Sequence, residues 1–176
     1  MGIVHAEGAQ IAFLDTPGLH KPDHLLNRRM VRAAVETLED ADVLYMLMEA
    51  TSRPGPGDLS AIKYMKEALA KQPRPVILVM TKIDLVNKHK MLPVLDQYAQ
   101  LFAWTEVVPV SAQVNDNVER LLAVTVPYLP SGEGVYGEDM VTDQTMRTLA
   151  AEMIREKVIQ ATEDEVPYAT AVEIDE

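Results

Sequence analysis

The sequence contains no cysteine, so neither a disulfide framework nor a thiolate metal site is available to it. That fits a reducing compartment. It has no apolar run approaching the roughly 20 residues that span a bilayer. The longest, Val76-Ile77-Leu78-Val79-Met80, is only of strand length. The opening MGIVHAEGAQ lacks both the basic start and the apolar stretch of a signal peptide. A cytoplasmic protein is therefore expected. A basic excess is missing too: the formal net charge is −11. Composition thus gives no ground for nucleic-acid binding, and the acidic balance favours solubility rather than a particular partner.

What is present is enough for one domain and the start of another: 176 residues, of which 48% are hydrophobic. Gly2-Ile3-Val4-His5 and Gln10-Ile11-Ala12-Phe13-Leu14 read as strands, and Glu7-Gly8 between them as a hairpin turn. Apolar residues from Leu25 to Leu38 recur at helical spacing. Asp42 to Ala50 and Pro75 to Met80 are nearly continuous apolar runs, suited to strands buried on both faces. Between them, Asp58 or Ser60 can cap a helix running to about Lys71. A helix over Lys90–Ala103, a strand over Glu106–Val110 and a helix over Asn117–Val126 complete the alternation. Such alternation predicts an α/β fold with a doubly wound, mostly parallel sheet.

Pro130-Ser131-Gly132-Glu133-Gly134 breaks the rhythm. We therefore expect an α/β domain over residues 1–129, a linker over 130–143 and the opening of a second domain over 144–176. In the latter, Gln144–Thr162 is a helix with Met146, Leu149, Met153, Ile154, Val158 and Ile159 on one stripe, followed by a strand over Val166–Ile174. One helix and one strand cannot bury a core by themselves.

Three motifs each follow a predicted strand, at the edge where open α/β sheets bind ligands. The first is Asp15-Thr16-Pro17-Gly18. A nucleoside triphosphate site needs a carboxylate to hold Mg²⁺, usually through water, and a backbone N–H at the γ-phosphate; Asp15 and Gly18 suit these tasks. A plain Pro-Gly turn would use the same residues. The second is Thr81-Lys82-Ile83-Asp84. Guanine presents two donors, N1–H and the 2-amino group, which one carboxylate, Asp84, can accept together. Lys82 would lay its stem along the base. A solvated lysine and a helix-capping aspartate are the ordinary alternative. The third is Ser111-Ala112, where the Ala112 N–H would reach guanine O6 and Ser111 would stiffen the loop; a serine N-cap would look the same. DxxG, [NT]KxD and SA, in that order and each after a strand, form the pattern of translation-factor-related GTPases.

The first member of that pattern, GxxxxGK[ST], is missing: none of the eight glycines is followed by Lys-Ser or Lys-Thr. The backbone cradle and lysine that hold the phosphates are therefore not found. The expectation is a fragment truncated at both ends, with weak nucleotide affinity by itself; a nucleotide-free module that acts only by interaction is the alternative. Arg28, Arg29 and Arg32 read as a solvated helix face. His5, His20, His24 and His89 have no metal-ligand spacing.

DTPGLHKP (15–22) and LAAEMIREKVIQATEDEVPYATAVEIDE (149–176) together resemble the Era family of bacterial GTPases. The second segment is similar to the first helix and strand of that family's KH RNA-binding domain. The resemblance covers essentially the whole chain. It implies a P-loop NTPase-like α/β fold followed by the start of an α+β KH domain, with GTP, GDP and Mg²⁺ as ligands. It also implies binding of the 3′ end of small-subunit rRNA, a role in 30S assembly, association with the inner membrane surface and a monomeric state. By motif, Asp15, Thr16, Pro17 and Gly18 would serve magnesium and the γ-phosphate, and Thr81, Lys82, Asp84, Ser111 and Ala112 the guanine. Two departures stand out. Thr81 replaces the family's usual Asn, and Leu19 occupies the position at which Ras-like enzymes place a catalytic Gln, so no catalytic residue is assigned. A tRNA-modification or 50S-assembly GTPase is the nearest alternative.

Overall fold

The computed structural model describes residues 1–6, 8–15, 41–162 and 171–174. The chain divides into two compact units, Met1–His5 with Gln10–Phe13 and Val135–Glu176, and Ala6–Ala9 with Leu14–Gly134.

The larger unit is built on three parallel strands: β3 (Leu44–Glu49), β4 (Val76–Thr81) and β5 (Glu106–Pro109), in the order β3-β4-β5. Leu44 pairs with Val76 and Glu49 with Thr81; Ile77 pairs with Glu106 and Met80 with Pro109. Val76 to Met80 are all buried, because β4 is central and both of its faces are covered. Leu44, Met48, Val76, Leu78 and Met80 face one core, shared with Ile62 and Met65 of α1 (Pro56–Lys71) and Tyr98 of α2 (Lys88–Ala99). Ile77, Val79 and Val108 face the other, with Leu121 of α3 (Val118–Thr125). Alternate residues of one strand thus serve opposite cores. Helices on both faces of a parallel sheet are the doubly wound arrangement that the alternation of elements predicts.

Helix boundaries differ locally from the expectation. Gly55, not Asp58 or Ser60, occupies the N-cap of α1. Pro56, which has no N–H to lose and a fixed φ, opens the helix at its first position. That places Asp58 in the first turn, where its Oδ2 accepts from the Gly55 N–H at 2.8 Å and from the Tyr98 hydroxyl at 2.9 Å. Asn87 caps α2, accepting from the His89 N–H at 3.0 Å. The helix ends at Ala99 rather than near Ala103, where the Trp104 indole N–H takes up the Tyr98 carbonyl at 2.9 Å.

In the smaller unit β1 (Gly2–Ala6) and β2 (Ala9–Phe13) form a two-stranded sheet. Gly8 in the turn has φ +75°, a conformation that costs glycine nothing. Residues 135–143, expected as part of a linker, run beside this hairpin. The Ile3 N–H donates to Val141 O at 2.8 Å, and Gly2 forms an antiparallel bridge with Thr142. Gln10 both donates to Tyr136 O at 2.7 Å and accepts from the Tyr136 N–H at 2.9 Å. The hairpin strands therefore group with 135–176, not with the three-stranded sheet, because their edge backbone groups find partners there. Helix α4 (Met146–Ala161) is capped by Thr145, whose Oγ1 accepts from the Thr148 N–H at 3.2 Å. None of its residues is buried. The expected strand over 166–174 is not seen at 171–174, which are irregular, and 166–170 lie outside the described residues. The helix expected over 25–38 also lies outside them.

Candidate guanine nucleotide site at the sheet edge

The carboxyl ends of β3, β4 and β5 carry Glu49, Thr81 and Pro109. Thr81 and the loops that leave β4 and β5 supply five of the expected site residues.

The β4 loop turns sharply. Lys82 has φ +58° and ψ +37°, the left-handed region, which is uncommon for a residue with a side chain. Ile83–Leu85 then form a single 3₁₀ turn, with the Leu85 N–H donating to Lys82 O at 3.1 Å. This places the Asp84 carboxylate in the first turn of a short helix, exposed. Thr81 ties the loop to its neighbour: its hydroxyl donates to Met48 O at 3.1 Å, and its carbonyl accepts from the Ala50 N–H at 2.9 Å. Thr81 therefore has a definite role at the strand end. The Lys82 ammonium forms an ion pair with the Glu49 carboxylate. That hydrogen bond, with a second from Thr51 Oγ1 at 3.1 Å, holds the Glu49 carboxyl below the usual carboxylate range.

The β5 loop is closed on itself. Ser111 is fully buried. Its N–H donates to Asp116 O at 3.0 Å and its carbonyl accepts from the Asp116 N–H at 2.9 Å. Its Oγ also accepts from the Val114 N–H at 3.3 Å. Asn115 and Asn117 take left-handed φ values of +54° and +59°, which Asn tolerates better than most residues. The Asn117 side-chain amide donates to Pro109 O at 3.0 Å. Ala112 is exposed at the mouth of this closed loop.

The two loops touch. The Val110 N–H donates to Met80 O at 2.8 Å, and the Ile83 N–H donates to Val110 O at 3.4 Å. Thr81, Lys82, Asp84, Ser111 and Ala112 are thus brought to adjacent loops on one sheet edge. Asp15 is exposed just after β2; Thr16, Pro17 and Gly18 lie outside the described residues, as do His20, His24, Arg28, Arg29 and Arg32. Among the described residues no three His, Cys, Asp or Glu side chains cluster as a metal site. Asp15 offers one carboxylate, an oxygen donor of the kind magnesium takes together with phosphates and water. Sequence reasoning missed Glu49. The strand register that sets it opposite Thr81 is its only signal.

A parallel sheet clothed by helices on both faces, with loops gathered on its carboxyl edge, is the P-loop NTPase-like α/β fold. The family model described as 50S ribosome-binding GTPase matches residues 1–82. Over 173 residues the chain is 38% identical to the GTPase Era of Ruminiclostridium cellulolyticum, covering 98% of this chain and 57% of that protein. A crystal structure of Era in complex with MgGDPNP and nucleotides 1506–1542 of 16S ribosomal RNA has a TM-score of 0.81 at 38% identity, covering 99% of this chain and 59% of that one. A structure of Aquifex aeolicus Era bound to GDP and AlF₄⁻ gives 0.80 at 37%, with the same coverages. The chain belongs to the Era family of GTPases, and it spans a little over half the length of these relatives.

Proposed function

We propose that the loops after β4 and β5 read guanine, and that the protein they serve is an Era-type GTPase. The reading is supported most by one observation: the Ile83–Val110 hydrogen bond, which sets the Asp84 and Ser111-Ala112 loops side by side. Asp84 accepts from guanine N1–H and the 2-amino group, and the Ala112 N–H donates to O6. Asp15 holds Mg²⁺ through water, and Thr16, Pro17 and Gly18 form the γ-phosphate turn. The whole protein hydrolyses GTP and binds small-subunit rRNA during 30S assembly. Its location is cytoplasmic, with peripheral contact at the inner membrane face, and it acts as a monomer. Among the described residues no helix is long and apolar enough to cross a membrane. Without a GxxxxGK[ST] motif the chain by itself binds nucleotide weakly and hydrolyses little. Each missing hydrogen bond to a charged phosphate forgoes roughly 1.5–3 kcal/mol.

An NMR titration with GDP and ADP tests this. GDP is expected to shift the amides of 81–85 and 111–113, and ADP to leave them in place. Asp84→Asn is expected to transfer the preference to xanthosine diphosphate, whose 2-oxo group accepts from the new amide. Equal responses to GDP and ADP would sink the assignment.

A further inference from the structure

We propose that Glu49 is the positioning residue for Lys82 in the guanine site: its carboxylate takes the Lys82 ammonium and directs the lysine stem toward the β3 side of the pocket. This deepens the guanine reading above and rests on it.

Lys82 needs such a guide. Its backbone is left-handed, a conformation that costs a side-chain-bearing residue free energy and that tends to be kept where a site requires it. The side chain is about half exposed, and its four rotatable bonds would otherwise let it wander in solvent. Glu49 ends β3 directly opposite Thr81, the residue before Lys82. The ion pair therefore runs diagonally across the two strand ends, away from β5. The Ser111-Ala112 loop lies on the β5 side of β4. The Lys82–Glu49 pair and that loop thus lie on opposite sides of the end of β4, and Asp84 stands on the short turn that leaves β4.

Glu49 is itself held. Thr51 Oγ1 donates to its Oε2 at 3.1 Å. Ala50, next in the chain, is buried, and its N–H is bonded to Thr81 O. Further on, the Gly55 N–H and the buried Tyr98 hydroxyl both donate to Asp58, which fixes where the loop from β3 enters α1. The anchor is therefore built into the fold, although the pair itself is about half exposed. An exposed pair contributes little to stability; its effect belongs to the direction of Lys82.

The test is a double-mutant cycle on GDP binding to the 176-residue chain, read by amide shifts at 81–85 with ADP as control. Glu49→Gln keeps the shape and removes the charge. It is expected to weaken GDP about two- to five-fold, the range of an exposed ion pair, while the preference for GDP over ADP stays. In a Lys82→Met background the same change is expected to do nothing. The two Lys82 Hε signals are expected to be distinct in the wild type and to merge toward those of a free lysine in Glu49→Gln. An unchanged urea midpoint shows that the variant is folded. An equal loss with and without Lys82, or no loss at all, overturns the role of Glu49 and leaves the guanine reading standing. A wild-type chain with no preference for GDP over ADP overturns both.

Discussion

β4 and α4 are both written in apolar residues, yet they end in opposite places. All five residues from Val76 to Met80 are 2% exposed or less. On α4, Met146 is 81% and Met153 67% exposed. The difference lies in neighbours, not in hydrophobicity. A central parallel strand has a paired strand on each side and helices over each face, so every side chain meets a partner. A helix stripe is only half of an interface, and among the described residues no element closes over α4. An apolar pattern states what an element must meet; the neighbours that the fold supplies decide whether it does.

Substitutions on the two elements should separate them sharply. Leu78→Ala opens a cavity at a site that is 0% exposed, and should cost about 2–5 kcal/mol in urea unfolding. Tyr98→Phe tests the polar tie beneath α1. Loss of a hydroxyl bonded to a carboxylate should cost about 1.5–3 kcal/mol. Burial first, and then Asp58, push the Tyr98 hydroxyl well above its ordinary value. The folded state therefore holds that proton more tightly than the unfolded state does. The resulting stability is intact below about pH 10, the ordinary tyrosine value, and is lost as pH rises above it. Tyr98→Phe should flatten that alkaline decline. Thr145→Ala removes the α4 cap and should lower helix stability by about 1 kcal/mol, seen as faster amide exchange in its first turn. Met153→Ser should change the unfolding midpoint least, by no more than about 0.5 kcal/mol. A loss above 2 kcal/mol there would show that α4 is packed in solution and break the contrast with β4.

Much of the larger unit was legible in the sequence because its signals are local. Apolar runs of strand length, each with a proline-containing loop on one side, place β3 and β4 to within two residues. The Thr81 and Ser111 motifs, each following a strand, place their two loops on one sheet edge, whereas β2, which precedes Asp15, belongs to a separate sheet. What stayed hidden is tertiary. Glu49 lies 33 residues from Lys82, and only the β3–β4 register joins them. The pairing of Ile3 with Val141 spans nearly the whole chain and has no periodic signature. Asp58 resembled a cap because capping chemistry looks alike at the N-cap and three residues later; Pro56 decides between them.

The reciprocal pair of bonds between Ser111 and Asp116 has a consequence for timing. Two bonds between the same two residues close a small ring, so the loop opens only when both break together. The Ala112 amide lies on the rim of that ring. On the guanine reading proposed above, a base would meet a surface already set, and its capture should track encounter frequency instead of waiting for the loop to rearrange.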